Sequence, residues 1–161
     1  MDVSIKDLNK NEYDGYIIEA SKSDILGLSK KWKFNWTRIF ADDHLTFKIV
    51  KDNEIQGLLK LEWENEEYVI MKNLEVSPSN FGSKGQFCNI AELLISFACL
   101  QTFKLNTGGY IGYLAFTSKG SLIEYYQQTY GAELIFRERM IVAPKAALKL
   151  IQTHLKINLR K

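Results

Sequence analysis

Residues 73–102 read NLEVSPSNFGSKGQFCNIAELLISFACLQT and constrain the fold more than any other stretch. The run opens as a strand at Leu74-Glu75-Val76, breaks at Ser77-Pro78, crosses a loop carrying Gly82 and Gly85, and becomes helix-length and apolar near Asn89. Proline removes a backbone donor and turns the residue before it away from helical angles, so the strand is expected to end there. Ile90, Leu93, Leu94, Phe97 and Ala98 recur at helical spacing and predict a helix over 90–103. It is apolar on more than one face and has to be covered on both sides, which a position across a sheet provides. A glycine-bearing loop feeding a helix N-terminus presents unpaired N–H groups and about half a positive charge, the makings of an anion cradle.

Upstream the period changes to two. Leu45, Phe47 and Ile49 alternate with Thr46 and Lys48; after the turn KDNE, residues Ile55, Gly57, Leu59, Leu61 and Trp63 alternate mainly with Gln56, Lys60 and Glu62. A second turn near Asn65-Glu66 leads to a strand over 68–76, so residues 45–76 read as an antiparallel meander. Before it, YDGYIIEA at 13–20 reads as a first strand, and Ser21 or Ser23 caps a short helix running towards Lys31. Residues 30–40, KKWKFNWTRIF, interleave basic and aromatic side chains. Either Trp32, Phe34 and Trp36 plug the core while the lysines face water, or the rings and cations form a strip for single-stranded nucleic acid.

Downstream, Gly108-Gly109 introduces a buried strand over 110–116, and strand, crossover helix and strand make a right-handed parallel unit. Thr117 or Ser118 caps a helix that stops before Gly131, strands follow at 133–136 and 139–142, and Pro144 opens a last helix, apolar at Ala147, Leu148, Ile151 and Leu155. The expectation is one α/β domain over 1–161, in the α+β sense: a mixed, mostly antiparallel sheet with one parallel pair, flanked by helices.

Bulk properties narrow the function. A length of 161 residues suits one core, and a net charge of +2 is too small to imply nucleic acid. No apolar run reaches the roughly 20 residues of a membrane helix and the N-terminus lacks a signal-type apolar run, so a cytoplasmic protein without membrane contact is expected. Cys88 and Cys99 lack paired spacing, which argues against a disulfide framework or zinc site, and His44 and His154 are too remote in sequence to form a nucleophile–base signature. No metal is expected. The basic end LKINLRK reads as a wet surface and leaves a homodimer open.

The order of elements over residues 45–142, the Val76-Ser77-Pro78 break, the loop and the tyrosine-rich helix before Gly131 resemble the acetyl-CoA-binding core of the GNAT acetyltransferase superfamily. The family loop reads Q/R-x-x-G-x-G/A; Gln86 and Ala91 match, while Asn89 stands where the first glycine belongs. The resemblance implies an acyl-CoA N-acyltransferase-like fold with a splayed parallel pair. It also implies direct transfer of acetyl from acetyl-CoA, as cosubstrate, to a primary amine on a small molecule or peptide. Backbone at Leu74 and Val76 would hold the pantetheine arm, and Gln86, Phe87, Cys88, Asn89, Ile90 and Ala91 would hold the pyrophosphate, with Lys119 added to the cofactor set. Spacing back from Gly131 places Tyr126 at the family's general acid, with Tyr125 as its neighbour. Glu75, which projects from the broken strand beside the thioester that the resemblance implies, is the candidate base through water, or else a solvent-facing strand carboxylate. Residues 30–40 would then wall the acceptor pocket. Asparagine at position 89 leaves a second expectation, a catalytically weakened CoA-binding or interaction module on the same fold.

Overall fold

The computed structural model describes residues 1–104 and 109–159. Eight strands form one mixed sheet in the order β1-β2-β3-β4-β5-β6-β8-β7. They are β1 (Asp2–Lys6), β2 (Glu12–Glu19), β3 (Thr46–Lys51), β4 (Glu54–Glu64), β5 (Tyr68–Val76), β6 (Leu114–Thr117), β7 (Glu133–Phe136) and β8 (Arg139–Val142). The accompanying helices are α1 (Lys22–Leu26), α2 (Trp36–Ile39), α3 (Ile90–Thr102), α4 (Ile123–Tyr130) and α5 (Pro144–Leu150). The sheet is mostly antiparallel and β5–β6 is its parallel pair, the class expected from the sequence.

The meander turns are tight because their residues accept left-handed angles: Asp52 and Asn53 sit at φ 51° and 63°, Asn65 and Glu66 at 51° and 59°. Two consecutive positive-φ residues match the twist of the flanking strands. Strand β1 is an addition to the sequence reading. It pairs antiparallel with β2 from Asp2↔Tyr16 to Lys6↔Glu12, burying Val3 and Ile5.

The chain divides into two compact units, Met1–Lys60 with Asn73–Leu94 and Leu61–Lys72 with Ile95–Lys161. All three boundaries fall inside β4, β5 or α3, so neither unit is a continuous stretch of sequence.

In the first unit, Gly57 sets how closely the start of α3 approaches β4: a Cβ there would lie 2.8 Å from Ile90 and 2.9 Å from Leu94. Ser21 caps α1 in a reciprocal box with Asp24, and Gly27 closes the helix onto Ser23 O, so it stops well before Lys31. Asn35 starts α2 afresh by accepting from Arg38 N. Ala20, Ile25, Trp36 and Leu58 form a core cluster against which Trp32 packs. Phe34 is 42% exposed, so only two of the three expected aromatic plugs point inward.

In the second unit, β6 is shorter than the expected strand over 110–116. Gly112 takes φ 87° and donates to Thr102 O, and Tyr113 N closes a turn onto Tyr110 O, so the extended run starts only at Leu114. Gly108 lies outside the described residues, as do Arg160 and Lys161 of the basic end. Neither Thr117 nor Ser118 caps α4: Thr117 belongs to β6, Ser118 donates from its amide to Glu138 O and from its hydroxyl to Lys119 O, and a 3-10 turn at Gly120–Leu122 precedes the helix. Gly131, at φ 67°, ends α4 as expected. After α5 comes a π-helical turn at Ile151–Leu155. The inward face of this segment is Ala147, Leu150, Ile151 and Leu155, whereas Leu148 is 38% exposed.

Candidate functional site

The parallel ladder between β5 and β6 comprises two pairs, Val69↔Leu114 and Ile70↔Ala115. Beyond Ile70, β5 continues for six residues to Val76 without a described pairing to β6, so its backbone near Leu74 and Val76 does not enter that ladder. The chain then enters a 3-10 turn at Pro78–Asn80.

Asn80 is the post around which the loop winds. Its buried amide donates to Gln56 O at 3.1 Å and to Gln56 Oε1 at 2.9 Å, while its Oδ1 accepts from Phe87 N at 3.0 Å. The loop closes tightly enough that a Cβ on Gly85 would fall 2.4 Å from Asn80 O, which excludes any larger residue there. Gln86 N donates to Ser79 O. Phe87 is 5% exposed and meets Tyr13 edge-to-face at 5.7 Å.

The next residues dock on the outer edge of β1. Cys88 N donates to Lys6 O at 2.9 Å and its thiol to Asp7 O; Asp7 and Phe87 form an antiparallel bridge. Asn89 completes the join: Oδ1 accepts from Lys6 N at 2.8 Å and Nδ2 donates to Ser4 O at 3.0 Å. An edge strand exposes a row of unpaired backbone groups, and the planar amide of Asn89 satisfies one donor and one acceptor of that row.

The amides of Gln86, Phe87 and Cys88 therefore already have acceptors within the protein. Those of Ile90 and Ala91, at the start of α3, have no acceptor among the described residues. Glu92 follows. Its carboxyl lies against its own amide, and its Oε2 is closed off from solvent without a hydrogen-bond partner. Burial is the main cause that pushes this carboxyl above its usual range, opposed by its own amide and by Lys10. A diphosphate thus fits this loop only in part: two first-turn amides face no competitor, three upstream are engaged, and a carboxylate takes the amide after them.

Glu75 is held by three donors, Lys33 N at 2.7 Å, Phe34 N at 3.1 Å and Trp36 Nε1 at 2.9 Å. It ties the start of α2 to β5. Oε1 accepts two of these bonds and Oε2 one, so one lone pair of Oε2 remains for a water. Lys84 and Lys119 are exposed, and Lys119 precedes the 3-10 turn before α4.

In the second unit, Tyr126 stands half-buried on α4. Its ring packs on Phe116 at 5.0 Å, Tyr125 at 5.5 Å and Tyr130 at 5.9 Å. Burial, with a smaller contribution from Tyr125, raises its phenol above the usual range, so the hydroxyl keeps its proton at neutral pH. Tyr125 is 47% exposed.

The cysteines are free, and burial pushes the Cys99 thiol up to about 12, leaving it unreactive. Among the described residues no cluster of His, Cys, Asp and Glu is arranged for a metal, and no helix is long and apolar enough to cross a membrane. The sequence reading missed two features here. The β1 edge was signalled by Val3 and Ile5 alternating with Ser4 and Lys6. Glu92 sits one residue beyond the loop pattern, where only its burial reveals its effect.

No family model matches the sequence, and no curated protein matches it. Solved structures do match in fold. A GNAT-family acetyltransferase from Listeria monocytogenes 4b F2365 is 9% identical over 86% of this chain and 96% of that one, with TM-score 0.57. The ribosomal-protein-S18-alanine N-acetyltransferase from Escherichia coli is 11% identical over 80% of this chain and 94% of that one, with TM-score 0.54. Arabidopsis thaliana Naa50, solved with the bisubstrate analogue CoA-Ac-MVNAL, is 14% identical over 79% of this chain and 95% of that one, with TM-score 0.50. With its parallel pair β5–β6 inside a mostly antiparallel sheet, this chain has the fold of the GNAT acetyltransferases.

Proposed function

We propose that the chain is an N-acetyltransferase that moves acetyl from acetyl-CoA directly to a primary amine of a small molecule or peptide. The observation that carries this reading is the two-pair ladder between β5 and β6, which leaves strand backbone at Leu74 and Val76 for an amide-bearing arm to pair with, as an added strand would. The amides of Ile90 and Ala91 supply a reduced grip on the diphosphate, and exposed Lys119 adds a screened positive charge. Acetyl-CoA brings the activated acyl group and a thiol leaving group. Tyr126 acts as general acid, since its phenol holds its proton across the neutral range and donates it as the thiol departs. Glu75 orients residues 33–36 and, through the free lone pair of Oε2, accepts the amine's proton by way of water.

A second reading keeps the fold but weakens the chemistry, and the engagement of the Gln86, Phe87 and Cys88 amides together with Glu92 favours it. Following thiol release from acetyl-CoA across an amine panel separates the two. Amine-dependent, multiple-turnover release supports the transferase. CoA binding without release on any amine supports the weakened module, and absence of both rejects each.

A further inference from the structure

Alternation along β6 and β8 divides their residues between two faces of the sheet in the second unit. Leu114, Met140 and Val142 point to one face and are 0% exposed. Ala115, Ile141 and Arg139 point to the other: Ala115 pairs with Ile141 and Thr117 with Arg139, and Ile70 joins Ala115 from β5. Ala115 is the smallest side chain at the middle of that second face, so larger neighbours stand around it and leave a hollow of about 460 Å³.

One wall is aromatic. Tyr110 meets Tyr68 edge-to-face at 5.7 Å and Tyr113 at 6.2 Å, so the three rings brace one another. The other wall is Ile135 and Arg139. The Arg139 guanidinium has no hydrogen-bond or ion-pair partner among the described residues, and none of the described lining residues is acidic. Tyr110 is 50% exposed and Ile135 54%, apolar surface that a soluble domain ordinarily covers when it is grouped in one place.

We propose that this hollow binds a small aromatic carboxylate, with the ring against Tyr68, Tyr110 and Tyr113 and the carboxylate on Arg139. An edge-to-face wall takes a further ring in the same geometry, and an unpaired guanidinium presents a planar fork that matches a carboxylate. A cationic ligand of the same shape would meet Arg139 with like charge and no acid among the described lining residues. The site lies wholly within the second unit and does not depend on acetyl-CoA binding.

Isothermal titration of the full chain with 3-phenylpropionate and with phenethylamine tests this. The expected result is saturable binding of 3-phenylpropionate and none of phenethylamine. Arg139→Gln and Tyr110→Ala each weaken the acid about tenfold, the scale of one lost contact. Arg139 is exposed and unpaired among the described residues, so Arg139→Gln is expected to keep the parent's thermal midpoint, whereas Tyr110→Ala gives up two ring contacts and is expected to lower it while the chain stays folded. Failure of 3-phenylpropionate to saturate at millimolar concentration, equal binding of the amine, or an affinity unchanged in both variants overturns the proposal.

Discussion

At the residue scale, Glu75, Tyr126 and Glu92 have different physical roles, and each can be tested separately. Glu75 is first a brace, because three N–H groups converge on it. Glu75→Gln would turn an NH2 group towards N–H donors, and the account expects a loss of about 1–3 kcal/mol, read as a lower thermal midpoint. Tyr126 packs against three rings that do not need its hydroxyl. Tyr126→Phe should leave the midpoint near the parent's and lower kcat by roughly a hundredfold or more, the usual contribution of a positioned acid; an unchanged kcat removes Tyr126 from the mechanism. Glu92 acts on stability through pH. Its folded-state carboxyl is raised above the ordinary 4.5, so its contribution is intact below that pH and is lost as pH rises through the folded value. Glu92→Gln should therefore stabilise the protein at neutral pH and flatten the decline, measured by thermal unfolding across pH 4 to 8.

At the element scale, the join between the loop and β1 engages the Cys88 amide and fixes Asn89 against Ser4 and Lys6. Asn89 spans the edge of β1 with two hydrogen bonds, so Asn89→Gly should cost about 1–3 kcal/mol and loosen Cys88 from Lys6. If those contacts hold the cradle closed, the same variant should bind CoA more tightly despite its lower midpoint. Unchanged CoA affinity would mean that the β1 edge does not limit the site. The elements themselves were largely legible where pattern is strong: the meander, α3, β7, β8 and the Gly131 stop all follow from alternation, helical spacing or a left-handed glycine. Reading failed where a turn outweighed an apolar run. Residues 110–116 look like one strand, yet Gly112 and the Tyr110–Tyr113 turn shorten it to β6. It failed also where the partner lies far along the chain, as with Asn89 and Ser4, 85 positions apart.

At the scale of the whole molecule, the meander and the parallel pair were legible because strand–helix–strand connections have one hand and short polar turns make antiparallel neighbours, whereas β1 at one edge and the order β6-β8-β7 at the other were not read. The division into two units was not, since its boundaries cut through β4, β5 and α3 where periodicity is uninterrupted. Of the candidate site, the glycine-bearing loop could be read from its residues and Tyr126 was placed by the family resemblance, its role resting on the Tyr126→Phe test. The use of three loop amides by the protein itself could not be read, because two go to backbone carbonyls and the third to the side chain of Asn80, whose partner is not marked by spacing. The central claim is that acetyl-CoA binds chiefly through its pantetheine arm along β5, with only a reduced diphosphate grip at α3. Titrating the parent and Glu92→Gln with acetyl-CoA and with acetyl-pantetheine tests it most directly. The account predicts that both ligands bind the parent and that Glu92→Gln tightens acetyl-CoA alone; failure of either ligand to bind the parent at millimolar concentration would contradict it.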